Sequence, residues 1–335
     1  MWEKEYMRNA ACIQDILLFD SKQLEVALNL DPSSARIEVQ CLLQAVLQVN
    51  RAHLLAHPEQ SLDTEQQARY AALLERRLGG EPIAYLIGER EFYGLTFKVS
   101  RATLIPRPET ELLVEIALQQ CGRVAAPPPG THRPAPCGRI PSPPNPLPLA
   151  GEGGRQAGRG KTFRVLDLGT GSGAIALSIA HARPDADVVA TDVSMAALEV
   201  AQYNAQRLNL GNVKLLHSNW FGAIHGERFD IVVSNPPYIA AGDAHLSQGD
   251  IRFEPRAALA SGADGLDDIR SICAEAKTYL NTDGWLLLEH GHDQAAQVRA
   301  LLQHAGFDSV FSARDLAGIE RISGGSSPAS MKTAG

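Results

Sequence analysis

The chain has 335 residues, 44% of them apolar and 21% charged, with 31 Lys and Arg against 38 Asp and Glu for a net charge of −7. It is long enough for two domains with buried cores that need no metal or disulfide staple. It is too acidic for a surface built to coat phosphate backbones, so stable nucleic-acid binding is not expected.

Glu3 and Glu5 precede no long apolar stretch, which argues against a signal peptide, and Met7 offers an alternative start to Met1. No run of 18 apolar residues predicts a membrane span, and five cysteines without a CxxC pair predict no metal site, so a cytoplasmic protein is expected. Residues 1–90 show helical periodicity without strand alternation and predict a small docking bundle. One helix opens at Asp31-Pro32-Ser33-Ser34 and presents Ile37, Leu42, Leu43, Val46 and Leu47. Another is capped by Asp63 or Thr64 and stops at Gly79-Gly80.

Residues 91–122 change character. Phe92 to Val99 is aromatic and β-branched around Gly94, which predicts a hairpin. Ile105-Pro106-Arg107-Pro108-Glu109-Thr110-Glu111 then runs extended into a helix over 112–119. Residues 123–160 hold ten of the 20 prolines and seven of the 29 glycines, the composition of a disordered insertion; 326–335 reads as a disordered tail.

From residue 161 to 325 short apolar strands alternate with helices. Strands are expected at 165–168, 188–190, 213–216, 231–233 and 285–288, and helices at 174–181 and 195–208. That alternation predicts an α/β fold, a doubly wound, mostly parallel Rossmann-like sheet. The first strand ends in Asp167-Leu168-Gly169-Thr170-Gly171-Ser172-Gly173, and Asp192 stands nineteen residues after Gly173 at the end of the second. Glycines at a strand-to-helix turn let a ligand approach free N–H groups, and an acid at the next strand end can accept from ribose hydroxyls. The loop therefore predicts an adenosine-bearing cofactor, and by itself it leaves NAD and S-adenosylmethionine open.

The fourth strand, Phe229 to Ser234, decides between them, because it ends in Asn235-Pro236-Pro237-Tyr238. Two prolines hold the backbone extended, so the Pro236 carbonyl and the Asn235 side-chain oxygen can both accept from one planar NH2 group, while Tyr238 offers it an aromatic face. Such a clamp suits an amide or an exocyclic amine facing an electrophilic methyl and has no use in hydride transfer.

With these motifs, and with Gln248 to Pro255 and Leu288-Glu289-His290-Gly291, the chain resembles the release-factor glutamine N5-methyltransferases (the PrmC/HemK family). The likeness spans the N-terminal helices to Ser323 apart from the insertion. It implies a class I methyltransferase that moves a methyl from S-adenosylmethionine to the amide of the Gln in the Gly-Gly-Gln tip of class I peptide release factors, with no metal. By position it implies Gly169, Thr170, Gly171, Ser172 and Gly173 around the methionine part and Asp192 on the ribose. Trp220 would lie beside the adenine and Asn235 near the cofactor. Asn235, Pro236, Pro237 and Tyr238 would hold the substrate Gln, with Asn235, Pro236 and Tyr238 as the catalytic set. Arg107 and Glu111 would close over the cofactor side, and the N-terminal bundle would dock the release factor. His217 and His290 are read as structural. The rivals are a ribosomal-protein glutamine methyltransferase, a DNA adenine N6-methyltransferase with the same clamp on a flipped base, and, from another class, an NAD-dependent oxidoreductase.

Overall fold

A computed structural model describes residues 12–122 and 162–328, so the alternative starts, the whole of the Pro/Gly-rich stretch 123–160 and the last seven residues lie outside the described residues. The described chain divides into two compact units, with the boundary between Gly88 and Glu89.

The first unit is helical: α1 (Ile13–Leu28), α2 (Pro32–Leu47), α3 (Arg51–Ala56), α4 (Thr64–Leu78) and α5 (Ile83–Ile87). Its starts are set by side-chain caps. Asp31 accepts from the N–H groups of Ser33 and Ser34, and Asp63 with Gln66 forms a reciprocal capping box on α4, whose end is capped at Gly79. The core gathers Ile13, Leu17, Leu24, Val39, Leu42, Leu43 and Leu54. Ile37, expected on the buried face, is 39% exposed; Ala35 and Val39 take the inward positions of that turn. Arg77 is buried against Glu38, with Nε and Nη2 donating at 2.7 and 2.9 Å.

The second unit opens with β1 (Glu89–Phe92) and β2 (Leu95–Lys98), paired antiparallel through a turn in which Tyr93 and Gly94 both have positive φ, 52° and 73°. A 3-10 turn over Pro108–Thr110 leads into α6 (Glu111–Gln120). The sheet is built from β3 (Arg164–Leu168), β4 (Asp187–Asp192), β5 (Val213–His217), β6 (Phe229–Ser234), β7 (Leu280–Glu289), β8 (Asp308–Arg314) and β9 (Glu320–Ser326). Its order is β5-β4-β3-β6-β7-β9-β8, and only β9 runs against its neighbours. The intervening helices are α7 (Ala174–Ala182), α8 (Met195–Arg207), α9 (Asp267–Tyr279) and α10 (Ala295–His304).

Alternation along each strand sorts the core into two layers. Val165, Val188, Ala190, Ile231 and Val233 pack with α6, α7 and the hairpin; Leu166, Val189, Val232, Leu286 and Leu288 pack with α9 and α10. Strands apolar on both faces are what a helix-covered parallel sheet requires. The strand order reverses between β3 and β6, which lie side by side with Leu168 opposite Ser234. At such a switch point the chains leave in opposite directions and open a crevice beyond the carboxyl ends.

The β8–β9 pair was not expected from sequence, and Ser326, read as the start of a tail, ends β9. A Cβ on Gly324 would lie 2.6 Å from Leu287 Cδ2, and one on Gly325 2.8 Å from Phe307 Cβ. The glycines that weaken the strand signal are thus what let β9 pack.

Candidate functional site

The glycine loop leaves β3 at the switch point. Gly169, Gly171 and Gly173 hold φ of 72°, 57° and 84°, and the N–H groups of Gly169 and Thr170 both donate to the Thr191 carbonyl at 2.9 Å. Each glycine has its own reason. A Cβ on Gly173 would sit 2.9 Å from Leu177 Cδ1 and 3.3 Å from Ala201 Cβ, so this residue lets the loop seat against α8. A Cβ on Gly169 would lie 3.3 Å from the Trp220 ring. One on Gly171 would meet nothing within 4 Å, so this residue faces open space.

Three side chains brace the loop, and the two that are fully buried, Asp167 and Asn204, have no role assigned from sequence. Asp167 is fully buried; its Oδ2 accepts from Thr170 Oγ1 at 2.7 Å and from the Ala176 N–H at 3.2 Å, and burial pushes its carboxyl up to about 7. Asn204 on α8, also fully buried, donates to the Ser172 carbonyl at 2.8 Å and to the Lys98 carbonyl at 3.0 Å, and accepts from the Lys98 N–H at 2.8 Å. It ties the loop to the hairpin. Its only sequence signal is a polar residue on the buried side of an amphipathic helix. Asp192 is where the reading put it, at the end of β4, with its carboxylate accepting from the Gly171 and Ser194 N–H groups at 2.8 Å each. Two carboxylate oxygens carry about four acceptor sites, so room for hydroxyl donors remains.

Trp220 takes a left-handed backbone at φ 45°, costly for a bulky residue. Ser218 holds that turn, donating to the Trp220 carbonyl at 2.8 Å and accepting from the Ala223 N–H at 2.9 Å. The strain brings the indole over Gly169.

Beside the loop, Asn235 to Tyr238 leave β6. Ser234 Oγ donates to the Leu168 carbonyl at 2.7 Å and locks the two strand ends together. Asn235 and Tyr238 line a cavity of about 320 Å³ with Leu104, Arg107, Glu109 and Asp250. The Tyr238 carbonyl accepts from Gln294 Nε2 at 2.9 Å, and a Cβ on Gly265 would fall 2.2 Å from that carbonyl oxygen, which makes glycine obligatory there. Burial beside Glu289 drives the Tyr238 phenol well above its usual value.

The two segments most specific to the resemblance meet across this cavity. The Glu254 carboxylate takes the Ile105 N–H at 3.0 Å and pairs with Arg107, although its side chain is fully buried, and burial raises its own pKa. Arg107 thus lines the same cavity as Asn235. Glu111 accepts from the Tyr93 N–H at 2.9 Å and braces the hairpin turn. Of the histidines, His290 is buried between the Gly291 carbonyl at 2.9 Å and Ser323 Oγ at 2.8 Å, and His217 contacts the Val193 carbonyl at 2.9 Å. Glu289, next to His290, is fully buried and pushed up to about 7 by burial. It lay inside a recognised segment without an assigned role.

Among the described residues no cluster of three or more His, Cys, Asp or Glu could hold a metal ion, and no helix is long and apolar enough to cross a membrane.

Residues 22–88 match the family described as PrmC N-terminal domain, and residues 157–254 the methyltransferase small domain. The chain is 47% identical over 296 residues to a protein of Bordetella pertussis named release factor glutamine methyltransferase, covering 88% of this chain and 96% of that one. Proteins of the same name from Pseudomonas aeruginosa and Salmonella typhimurium are 45% and 43% identical, over 87% and 88% of this chain and 92% and 93% of theirs. Among solved structures, the hMettl16 catalytic domain in complex with the MAT2A 3'UTR hairpin 1 superposes with a TM-score of 0.51 at 14% identity, covering 84% of this chain and 88% of that one, a likeness of fold.

Proposed function

The chain belongs to the release factor glutamine methyltransferase family, and from that premise we propose that it methylates the side-chain amide nitrogen of the Gln in the Gly-Gly-Gln motif of class I peptide release factors. The observation that carries the reading is the adjacency of two strand ends. The glycine loop after Leu168 and the Asn-Pro-Pro-Tyr turn after Ser234 leave paired strands at the switch point, so a donor held by one faces an acceptor held by the other.

S-adenosylmethionine, when bound, supplies an electrophilic sulfonium methyl. The open space over Gly171 and the spare acceptor sites on Asp192 fit an adenosyl ligand. Gly169 to Gly173 hold its methionine part, Asp192 its ribose, and Trp220 its adenine. An amide nitrogen is a poor nucleophile because its lone pair is delocalised. Asn235 Oδ1 and the Pro236 carbonyl accept its two N–H bonds, which withdraws the protons toward acceptors and aims the nitrogen. The Tyr238 ring carries the amide plane, and Pro237 keeps the turn rigid. The protein works in the cytoplasm, and residues 12–88 recognise the body of the release factor.

The test is methyl transfer from labelled S-adenosylmethionine to purified release factor, with a Gly-Gly-Ala variant and duplex DNA as parallel acceptors. Label on the Gln-bearing protein alone supports the reading. Label on DNA, or equal label on the variant, discards the acceptor.

A further inference from the structure

We propose that Thr110 and Glu289 act together as positioning residues that fix which way the Asn235 amide faces. This rests on the reading of Asn235 as an acceptor for the substrate amide and extends it to two buried side chains that never touch substrate.

An Asn amide has nearly the same shape in its two flipped states, so only its partners choose between them. Asn235 Nδ2 lies 3.3 Å from Thr110 Oγ1. The Thr110 hydroxyl is in turn bonded to the Glu289 carboxyl, which the Tyr238 hydroxyl also approaches at 3.5 Å. Thr110 is 4% exposed and Glu289 fully buried, with its Oε2 lacking any partner, so water does not scramble the chain of bonds. A hydroxyl has one proton. A carboxylate only accepts, so it takes that proton, and Thr110 is left to accept from Asn235. The nitrogen of the amide must then face Thr110, and Oδ1 is left for the cavity that Asn235 lines. The direction of every bond follows from the negative charge at the buried end.

A protonated Glu289 reverses that logic. It can donate to Thr110, whose proton then turns to Asn235 Oδ1. The amide flips, and Nδ2 faces the two N–H groups of the substrate, donor against donors. The other groups that face Glu289 are Glu109 on the 3-10 turn, which favours protonation, Arg321 on β9, which opposes it, and the Tyr238 hydroxyl. Desolvation is the largest influence, and it carries the midpoint to about 7. Turnover is therefore present when Glu289 is ionised and is lost as pH falls through that midpoint.

The experiment compares wild type, Glu289→Gln, Thr110→Val and Thr110→Ser in two assays. In steady-state transfer to the release factor between pH 6 and 9, wild type shows an acid limb in kcat near pH 7. Glu289→Gln flattens that limb and lowers the plateau by roughly tenfold or more, one misdirected hydrogen bond. Thr110→Val loses turnover similarly, Thr110→Ser restores it, and S-adenosylmethionine Kd stays within about twofold throughout. In 15N spectra the side-chain amide of Asn235, assigned from its loss in Asn235→Ala, moves with the same midpoint in wild type and is pH-independent in Glu289→Gln. An unchanged kcat and acid limb in Glu289→Gln, or an Asn235 amide indifferent to pH in wild type, overturns the proposal. If the release factor is not a substrate, the amide spectrum still decides the orientation. If Glu289→Gln does not fold, the Thr110 pair and the wild-type titration decide it.

Discussion

Two glycines of the same loop should fail in opposite ways when given a methyl group. In Gly173→Ala the new Cβ meets Leu177 Cδ1 at 2.9 Å and Ala201 Cβ at 3.3 Å, at a φ of 84°. The left-handed backbone costs about 1 kcal/mol, and forcing a methyl into a packed helix-to-helix contact costs about 1–3 kcal/mol more. In Gly171→Ala the φ is 57° and no atom lies within 4 Å, so only the backbone cost of about 1 kcal/mol applies. The same methyl would project into the space assigned to the ligand. Gly173→Ala is therefore expected to lower the urea midpoint of the catalytic unit by roughly 1 M, at slopes of about 2–3 kcal/mol/M, followed through the fluorescence of Trp220 and Trp285. Gly171→Ala should shift it by less than half as much, yet weaken S-adenosylmethionine by at least about tenfold in calorimetric titration, since backbone approach is what a glycine-rich loop provides. If Gly171→Ala binds as wild type does, the open face of the loop is not the ligand face.

Asn235→Ala should cut kcat for release-factor methylation by roughly 100-fold, the scale of losing one aimed polar contact, with S-adenosylmethionine affinity changed less than about threefold; near wild-type turnover would refute the clamp. Asp192→Ala should weaken S-adenosylmethionine by roughly 10- to 100-fold, because it loses charge-assisted bonds to ribose and frees the Gly171 N–H as well; unchanged affinity would rule out the ribose assignment. Asp167 has its carboxyl raised from 3.8 to about 7, so its ionisation opposes folding and wild-type stability declines as pH rises between those values. Asp167→Asn keeps an acceptor for Thr170 and Ala176, so it should be more stable than wild type at pH 8 with the advantage vanishing near pH 4; equal midpoints at both pH values would count against an Asp167 whose pKa is raised by burial.

The sheet, the loop and the turn after β6 were legible because each leaves a local mark: apolar runs for strands buried on both faces, glycines at strand ends, prolines where a backbone must stay extended. The caps at Asp31 and Asp63 were legible for the same reason. The β8–β9 pair was not, since Gly324 and Gly325 serve contacts to Leu287 and Phe307 that have no trace in the local pattern. Nor were the bracing residues. Asn204 meets Lys98 and Ser172 across 106 and 32 residues of chain, and Glu254 meets Ile105 and Arg107 across 149 and 147. No periodicity encodes such partners. Arg107 shows the consequence, because its segment is recognisable in sequence while its partner Glu254 is visible only in the fold.

Asp167, Glu254 and Glu289 share a design. Each is a carboxyl withdrawn from water, each has its pKa raised by burial, and each ends a set of bonds that fixes a backbone or side chain at the crevice. A buried carboxyl costs stability wherever it is charged, and an apolar residue would pack the same volume at lower cost. What the carboxyl supplies is direction: it accepts and never donates when ionised, so every hydroxyl and N–H aimed at it has one orientation. Amide methylation needs that direction more than it needs acid or base strength. The proposed acceptor is a planar NH2 group, and of the two oxygens assigned to hold it, Asn235 Oδ1 is the one that a flip would replace with a donor. In the proposed clamp the residues assigned to the substrate are neutral, and the carboxyls proposed to set how they point are held one layer behind them.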